Sequence, residues 1–328
     1  MKTWESAVIG LGKIGMGFDY YCSDRSVTLT HASAYTQHPN FKLLCGVDPD
    51  CLRRKAFTKK FKLPAYGSVA EMFDTHQPEV VSLCVPTRYH FEVFNEVLAH
   101  HPLAILCEKP FSDSSVKAKK MLVKAGAKNC VVAVNYMRRC EPGVLRLKRL
   151  IDSGKLGEIY KGVVWYSKGL FNNGSHYLDL LRFFLGEVRK IEVISKGRDW
   201  RGKDPEPDCI LYFRKAAVYF LAAKEEAYTF LDLELIGSRG KLQVIDVSGG
   251  NSIRYWLARR DRVYKDYIFL NDEPILINND LEHYQWHVMN DLAGYMQGKT
   301  KTLRSTGASA LITLQTMEKI ARMRGGNA

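Results

Sequence analysis

The stretch ESAVIGLGKIG, residues 5–15, decides the fold of this chain. It starts as a short apolar strand and runs directly into Gly10, Gly12 and Gly15, which have the spacing G-x-G-x-x-G. Glycines at this spacing let the backbone turn tightly and bring amide donors up to a pyrophosphate. Because glycine-rich turns are common, the motif gains weight only from the sequence around it.

Strands and helices alternate over the first 135 residues. Apolar strands are predicted at 5–10, 41–48, 79–85, 103–108 and 131–135, with helices near 50–60, 68–75, 88–100 and 113–126. Alternation of this kind, with nearly continuous apolar strands, is typical of a parallel sheet covered on both faces. We therefore expect a doubly wound Rossmann domain over residues 1–135, with the glycine turn after its first strand.

The pattern changes beyond residue 140. A helix at 142–153, a strand at 160–166 and a helix from Ser175 precede a series of strands between 190 and 270. Turn sequences such as GSRG and SGGNS separate those strands, and helical stretches at 280–297 and 306–323 follow. The fold class expected is α/β, with a second domain over residues 136–328 built on a largely antiparallel sheet.

Composition excludes several classes of protein. The 328 residues are 46% hydrophobic and 25% charged, which is the composition of a globular protein. No run approaches the roughly 18 apolar residues of a membrane span, and glycines interrupt the apolar N-terminus, so neither a membrane segment nor a signal peptide is expected. The net charge of +13 fits nucleic acid or small anions, but the basic stretch 53–62 is most simply a solvated helix face. No nucleic-acid partner is predicted.

The eight cysteines show no CxxC pair and no metal-ligand spacing. Several sit in apolar runs, where a free thiol behaves as a small hydrophobe. His283 and His287 are four apart on a predicted helix but lack a third ligand nearby. No metal is predicted, and a reducing, cytoplasmic compartment is expected.

The second strand points to the cofactor. Asp48 closes it in GVDPD, where a carboxylate can accept from both ribose hydroxyls and repel a 2′-phosphate. NAD is therefore favoured, while Arg53 and Arg54 keep NADP possible. Asp48 lies 33 positions after Gly15, against about 20 expected. The extra residues, 16–30, are either a surface insertion or a flap over cofactor or substrate.

Further motifs occur in order along most of the chain: CVPTRYH (84–90), CEKPFS (107–112), VNYMRRC (134–140), LGEIYKG (156–162), NNGSHYLDLLRFFLGE (172–187) and ELIGSRGKLQV (234–244). Together with the glycine motif they resemble the Gfo/Idh/MocA family of NAD(P)-dependent sugar oxidoreductases. The specific part is EKP after the fourth strand, followed later by G-x-H-x-x-D.

The resemblance implies NAD(P)-linked hydride transfer at a carbinol or keto carbon of a sugar, with a nucleotide-linked sugar favoured here. A cyclitol or free-sugar dehydrogenase, a keto-sugar reductase and a catalytically silent cofactor-binding regulator remain open. It also implies an open sheet in the second domain that supports a homodimer or homotetramer.

Two residues are predicted to be catalytic. Oxidising a carbinol needs a base for the hydroxyl proton and a positive group beside the developing alkoxide. Lys109 matches the family's EKP lysine and would polarise the reacting oxygen. His176 matches the family histidine and would be the base; the helix beginning beside it disfavours imidazolium and keeps the ring able to accept a proton.

Four residues are predicted to bind substrate. Asn172 stands where the family more often has aspartate, and an amide can bond substrate but cannot accept a proton. Asp179 lies on the same helical face as His176. Tyr136 and Arg138 follow the fifth strand, where adjacent Arg139 would point the other way in an extended segment. Trp165 is expected in the core of the second sheet.

The cofactor-binding residues expected, from the glycine motif and the resemblance together, are Gly10, Gly12, Lys13, Ile14, Gly15, Asp48, Cys84, Pro86, His90, Glu108, Lys109 and Asn135.

Overall fold

The computed structural model describes residues 2–22, 26–247 and 250–324, and the chain divides into two compact units. The N-terminal unit is Met1–Cys140 with Glu282–Leu314, and the C-terminal unit is Glu141–Leu281 with Gln315–Ala328. The sequence predicts two continuous domains, 1–135 and 136–328. In the structure, residues 282–314 belong to the first unit. The physical reason is burial: Met289 and Leu292 share a core cluster with Trp4 and Tyr35.

A six-stranded parallel sheet forms the N-terminal unit. Its strands are β1 (Trp4–Ile9), β2 (Phe41–Val47), β3 (Ala65–Tyr66), β4 (Val80–Leu83), β5 (Ala104–Cys107) and β6 (Val131–Val134). The order across the sheet is β3-β2-β1-β4-β5-β6, so the winding reverses at β1, between β2 and β4. Open sheets of this kind bind ligands beyond the carboxyl ends of the strands at that reversal. The predicted fold class is confirmed.

Helices connect these strands. They are α1 (His31–Gln37), α2 (Cys51–Phe61), α3 (Val69–Thr75), α4 (His90–Ala99) and α5 (Ser115–Ala127). Side-chain oxygens of Thr30, Asp50, Ser68 and Ser114 accept backbone N–H groups at four of their N-termini. Such caps supply partners for donors that a helix cannot satisfy internally, and so define where each helix begins.

The insertion between the glycine turn and α1 is held against α2 where it is described. Asp19 is 2% exposed and accepts the N–H groups of Leu29 and Thr30 and the Thr30 hydroxyl. Lys60 of α2 donates to the carbonyls of Asp19 and Tyr20 and lies over the Tyr20 ring. These contacts favour a packed surface insertion at Asp19 and Tyr20. A flap over cofactor or substrate could also use Arg25 of this insertion, and that residue lies outside the described residues.

A nine-stranded sheet forms the C-terminal unit. Its strands are β7 (Ile159–Tyr166), β8 (Lys190–Trp200), β9 (Asp204–Tyr212), β10 (Ala217–Ala222), β11 (Leu231–Gly237), β12 (Gly240–Val247), β13 (Gly250–Arg260), β14 (Ile268–Leu270) and β15 (Ile275–Ile277). Its helices are α6 (Pro142–Asp152) and α7 (Ser175–Leu185). The order is β14-β13-β12-β11-β7-β10-β9-β8, with β15 on β13, and only the β7–β10 pair is parallel.

Burial alternates along the central strands of this sheet. Val164, Phe220 and Leu233 are buried, whereas Trp165 is 40% and Tyr219 37% exposed. The prediction that Trp165 lies in the core is wrong, because successive side chains of a strand point to opposite faces and Val164 takes the covered one.

The last two helices are α8 (Tyr284–Met296) and α9 (Gly307–Arg324). α8 belongs to the N-terminal unit, and the division between the units falls within α9. Ser305 and Thr306 add to the edge of the parallel sheet, where Thr306 bridges Ala133. Among the helices in the described part of the chain, none is long and apolar enough to cross a membrane.

Candidate active site

The three glycines after β1 differ in how much space surrounds the position of a Cβ atom. Gly10 has φ +94°, and a Cβ there would meet the Cys84 backbone at 2.6 Å. A Cβ at Gly15 would lie 2.0 Å from the Gly10 carbonyl oxygen. At Gly12 the nearest heavy atom to such a Cβ is on Arg53, 3.8 Å away. Gly10 and Gly15 are therefore needed for the turn itself, while Gly12 leaves open space where a ligand can approach the backbone.

A cavity of about 720 Å³, here the glycine-loop cavity, opens beside this turn in the N-terminal unit. Seven of the predicted cofactor residues line it: Gly10, Gly12, Lys13, Ile14, Asp48, Cys84 and Pro86. Lining residues that the sequence did not predict include Phe18, Ser68, Tyr89, Val93 and Glu96. Tyr89 lies within the quoted CVPTRYH motif, which is the signal that could have identified it.

Asp48 ties the glycine turn to the end of β2. Its carboxylate accepts the Leu11 N–H at 2.8 Å and the Asp50 N–H at 2.9 Å. Arg53 approaches the same carboxylate at 3.4 Å and is itself half exposed. Asp48 thus fixes the loop and presents an acceptor at the rim of the cavity, with one cation close enough to offset part of its charge.

Glu108 lies at the centre of a buried hydrogen-bond network after β5. Its Oε1 accepts from His31 Nε2 at 2.9 Å and from Asn135 Nδ2 at 2.5 Å. Its Oε2 accepts the Lys109 backbone N–H at 3.2 Å. Burial alone would raise the pKa of this carboxyl, but the hydrogen bonds and charges of His31, Asn135 and Lys109 outweigh burial and lower it. Glu108 is therefore an anion near neutral pH. His31, which completes the network, was not predicted from the sequence.

His90 is fully buried. Nδ1 lies 3.2 Å from the Phe111 carbonyl and Nε2 lies 2.9 Å from the Val85 carbonyl. Burial lowers the pKa of the imidazole despite these carbonyls. His90 joins the segments that follow β4 and β5, and it is not among the side chains lining the glycine-loop cavity.

Lys109 lies two residues beyond the end of β5 and is partly exposed. Tyr136, Arg138 and Arg139 are buried beyond the end of β6. The segment Met137–Cys140 is a short 3₁₀ turn and not the extended chain expected, so adjacent arginines do not alternate. Arg139 donates to the Arg304 carbonyl at 3.2 Å, which gives it a structural contact within the same unit.

The other predicted residues lie in the C-terminal unit, around the start of α7. A wide π-helical turn, Gly169–Gly174, leads into the helix. Asp204 of β9 accepts the N–H groups of Phe171 and Asn172 at 2.9 and 3.0 Å. Gly169, with φ +84°, lies where a Cβ would come within 2.1 Å of the Asp204 side chain. β9 therefore holds the turn that carries Asn172, and His176 follows in the first turn of α7.

Asp179 has a salt-bridge partner one turn along α7. It lies 3.8 Å from Arg182, which is also buried and makes a two-point bond with Glu187 at 2.8 and 2.7 Å. Asp179 is 2% exposed. These contacts support a helix-stabilising role for its carboxylate.

Comparison with known proteins matches the N-terminal unit to a family model. Residues 5–136 match the model of the oxidoreductase family with an NAD-binding Rossmann fold, Gfo/Idh/MocA. The predicted resemblance is confirmed over these residues.

Among the relatives is the scyllo-inositol 2-dehydrogenase (NAD(+)) of Bacillus subtilis. It is 27% identical over 195 residues, which cover 55% of this chain and 53% of that protein. An inositol 2-dehydrogenase of Rubrobacter xylanophilus is 24% identical over 69% of this chain and 70% of its own length. The chain spans about half the length, or less, of the first curated relatives that it matches.

Solved structures resemble the whole chain. The WlbA dehydrogenase of Bordetella pertussis, in complex with NADH and UDP-GlcNAcA, has a TM-score of 0.74 at 16% identity. An oxidoreductase of Agrobacterium radiobacter, in complex with NAD+, L-tartaric acid and magnesium, has a TM-score of 0.73 at 18% identity. Each likeness covers 98% of this chain and 97% of the other. At these identities the likeness establishes the fold.

Proposed function

We propose that the chain is an NAD-dependent oxidoreductase that moves hydride between the nicotinamide and a carbinol or keto carbon of a sugar. The observation that carries this proposal is the glycine-loop cavity at the reversal of the parallel sheet. Its glycine turn leaves room at Gly12 for a pyrophosphate, and Asp48 offers an acceptor for ribose hydroxyls. When bound, NAD supplies the hydride acceptor, and the protein supplies orientation and proton transfer.

Lys109 and His176 are the proposed catalytic residues. Lys109 would place its ammonium beside the reacting oxygen and stabilise negative charge as the hydroxyl proton leaves. His176 would take that proton at an imidazole nitrogen. His176 lies in the first turn of α7, where the positive end of the helix dipole disfavours the imidazolium form. The neutral ring is therefore able to accept a proton.

A nucleotide-linked sugar is the proposed substrate class. The chain carries a net charge of +13, and Arg138 is buried beyond β6, where its planar fork suits a phosphate. The likeness to WlbA, crystallised with UDP-GlcNAcA, supports this choice. The inositol dehydrogenase relatives support a cyclitol as the second candidate.

The first test is cofactor binding followed by a substrate screen. NAD(H) and NADP(H) are titrated by fluorescence, and we expect tighter binding of NAD(H) because the Asp48 carboxylate repels a 2′-phosphate. UDP- and TDP-linked sugars, free sugars and inositols are then screened for cofactor reduction. Absence of dinucleotide binding would overturn the proposal. Binding without turnover on any of them would favour the catalytically silent regulator, a reading that Asn172 in place of the family aspartate also supports.

The second test concerns Lys109. Lys109→Ala should lower kcat by roughly 10²–10⁴-fold while the protein stays folded, because a charge beside the reacting oxygen acts mainly in the transition state. The control is Lys117→Ala, on α5, where the lysine pairs with Asp113 and lies over the ring of Phe91. Equal turnover of the Lys109 variant and wild type would contradict the mechanism.

A further inference from the structure

His31 does not line the glycine-loop cavity, but it belongs to the buried network around Glu108. It is fully buried at the start of α1, 77 positions before Glu108, and its two ring nitrogens both have hydrogen-bond partners. His31 therefore bonds the carboxylate that directly precedes the proposed catalytic lysine in the sequence.

The partners of His31 fix the position of its hydrogen. Gln285 Oε1 accepts from Asn135 Nδ2 at 3.0 Å, so the Gln285 amide nitrogen faces His31 Nδ1 at 3.4 Å. A carboxylate oxygen only accepts, so the ring nitrogen that faces Glu108 must donate. The ring hydrogen therefore sits on Nε2 and points at Glu108 Oε1, 2.9 Å away.

Two hydroxyls extend the same chain of bonds. The Ser82 hydroxyl lies 2.9 Å from His31 Nδ1, and the Tyr35 hydroxyl lies 2.7 Å from Ser82 Oγ. These two hydroxyls extend the buried network that ends at Glu108, and connected hydrogen bonds strengthen one another in a buried site.

We infer that His31 is a positioning residue. By donating to Glu108 it keeps that carboxylate an anion. The anion accepts the Lys109 backbone N–H and so orients the Lys109 ammonium. Glu108 uses one oxygen for His31 and Asn135 and the other for the Lys109 N–H. Without the His31 donor, a buried anion would lose one of its main stabilising bonds, which favours its protonation or rotation. Either change loosens the backbone from which Lys109 projects.

Other ionisable groups near Glu108 do not substitute for His31. Besides Lys109, the ionisable groups whose pKa the Glu108 charge affects are His90, Cys84, Cys107 and Tyr284. Burial raises the pKa of both thiols and of the Tyr284 phenol, and burial lowers the pKa of His90. These four are therefore neutral near pH 7 and donate no charge to the carboxylate.

The inference rests on the proposed function, since Lys109 needs aiming only if it acts on a substrate. The test compares His31→Gln, whose amide can reproduce the Nε2 donor, with His31→Leu, which fills similar space without one. We expect His31→Leu to lower kcat roughly 10–100-fold, because small misplacements of a catalytic group have effects of that size. Affinity for NADH and KM for the sugar should change less than about threefold. His31→Gln should retain kcat within about threefold.

The pH profile separates positioning from a merely structural effect. Removing the donor raises the pKa of Glu108, so the acid limb of kcat for His31→Leu should move to higher pH, while that of His31→Gln stays near wild type. The control is His38→Leu, another buried histidine of this unit that packs on Phe41 and Trp286. It should lower stability without moving the acid limb.

A third measurement does not depend on activity. The pKa of Glu108 is lowered by its donors, so its charge contributes stability above its unfolded pKa and that contribution is lost as pH falls through the folded value. The urea midpoints of His31→Gln and His31→Leu should therefore differ at about pH 7.5, and the difference should shrink as pH falls below about 4, where Glu108 takes up its proton in both variants. Equal kcat in the two variants, or a midpoint difference that is constant with pH, would overturn the inference. A wild type without turnover would refute the proposed function, while the urea comparison would still decide whether His31 holds Glu108.

Discussion

At the scale of single residues, the glycines of the motif have two different roles: some allow the backbone to turn, and another leaves space for a ligand. Gly10 and Gly15 are required by the protein itself, because any Cβ there would overlap backbone atoms. Gly12 has no such neighbour, and the open space beside it faces the glycine-loop cavity. Stability and ligand binding should therefore respond to different glycines.

Alanine substitutions test this separation. Gly10→Ala and Gly15→Ala should each lower the free energy of unfolding by ~1–3 kcal/mol, from backbone strain and overlap. Gly12→Ala should leave the urea midpoint near wild type and weaken NADH binding at least about tenfold, because a methyl group takes the space of the pyrophosphate. The measurements are urea unfolding and fluorescence titration on all three variants. Wild-type NADH affinity in Gly12→Ala would contradict the assignment.

At the scale of elements, the start of α7 depends on a strand that follows it in sequence. Asp204 supplies both acceptors for the N–H groups of Phe171 and Asn172, and Glu206 accepts from Gly169 at 3.0 Å. The turn that precedes His176 is therefore shaped by β9, some 30 positions later.

Removing one carboxylate should show this dependence. Asp204→Ala leaves two backbone donors without acceptors, and we expect it to lower the free energy of unfolding by ~2–4 kcal/mol and to reduce turnover. The matched control is Asp199→Ala, which removes a surface pair with Arg324 and should have an effect below ~1 kcal/mol. Urea unfolding and kcat are compared for both. An Asp204 variant as stable and active as the Asp199 variant would contradict this account.

The same element shows how far sequence reasoning reaches. Five of the six strands of the parallel sheet were predictable because each is a continuous apolar run, and α7 was predictable from Ser175 onward. β3 was not predicted, because its two residues are too few to form a pattern. The π-helical turn Gly169–Gly174 was not predicted, because its shape depends on its long-range partner Asp204. β14 and β15 were missed because they are three residues long and mostly exposed, so burial left no pattern in their sequence.

Within the candidate site, local motifs again predicted what local backbone determines. Seven of the twelve cofactor residues expected line one cavity, since glycine spacing and strand ends fix their positions. His31 was missed because the insertion after Gly15 separates it from the motif. Its role comes from partners at positions 82, 108, 135 and 285, which no local pattern connects.

At the scale of the whole molecule, the exposed face of the nine-stranded sheet bears on assembly. Trp165 and Tyr219 lie on neighbouring strands and are 40% and 37% exposed, while the residues beside them in sequence are buried. Aromatic side chains exposed on a sheet are characteristic of interfaces. We propose that this face joins copies of the chain into a homodimer or homotetramer.

Sedimentation tests the assembly. Wild type should sediment as a dimer or tetramer, and Trp165→Glu should shift it towards the monomer, because a carboxylate is costly to bury in an apolar interface. NADH affinity should be unchanged, since Trp165 lies in the other unit from the glycine-loop cavity. Val123→Glu, on the exposed face of α5, is the control. A monomeric wild type would refute the proposed interface.

The return of residues 282–314 to the first unit has a consequence for synthesis of the chain. Asn135 reaches Gln285 only after 150 further positions have been translated, and His31 only after 254. At a translation rate of roughly 5–20 residues per second, the Gln285 amide and the apolar side of α8 are made about 8–30 s after the last strand of the parallel sheet. During this interval the Glu108 network and the surface around Trp4 and Tyr35 lack their cover, so the newly made N-terminal half exposes apolar surface that α8 later buries.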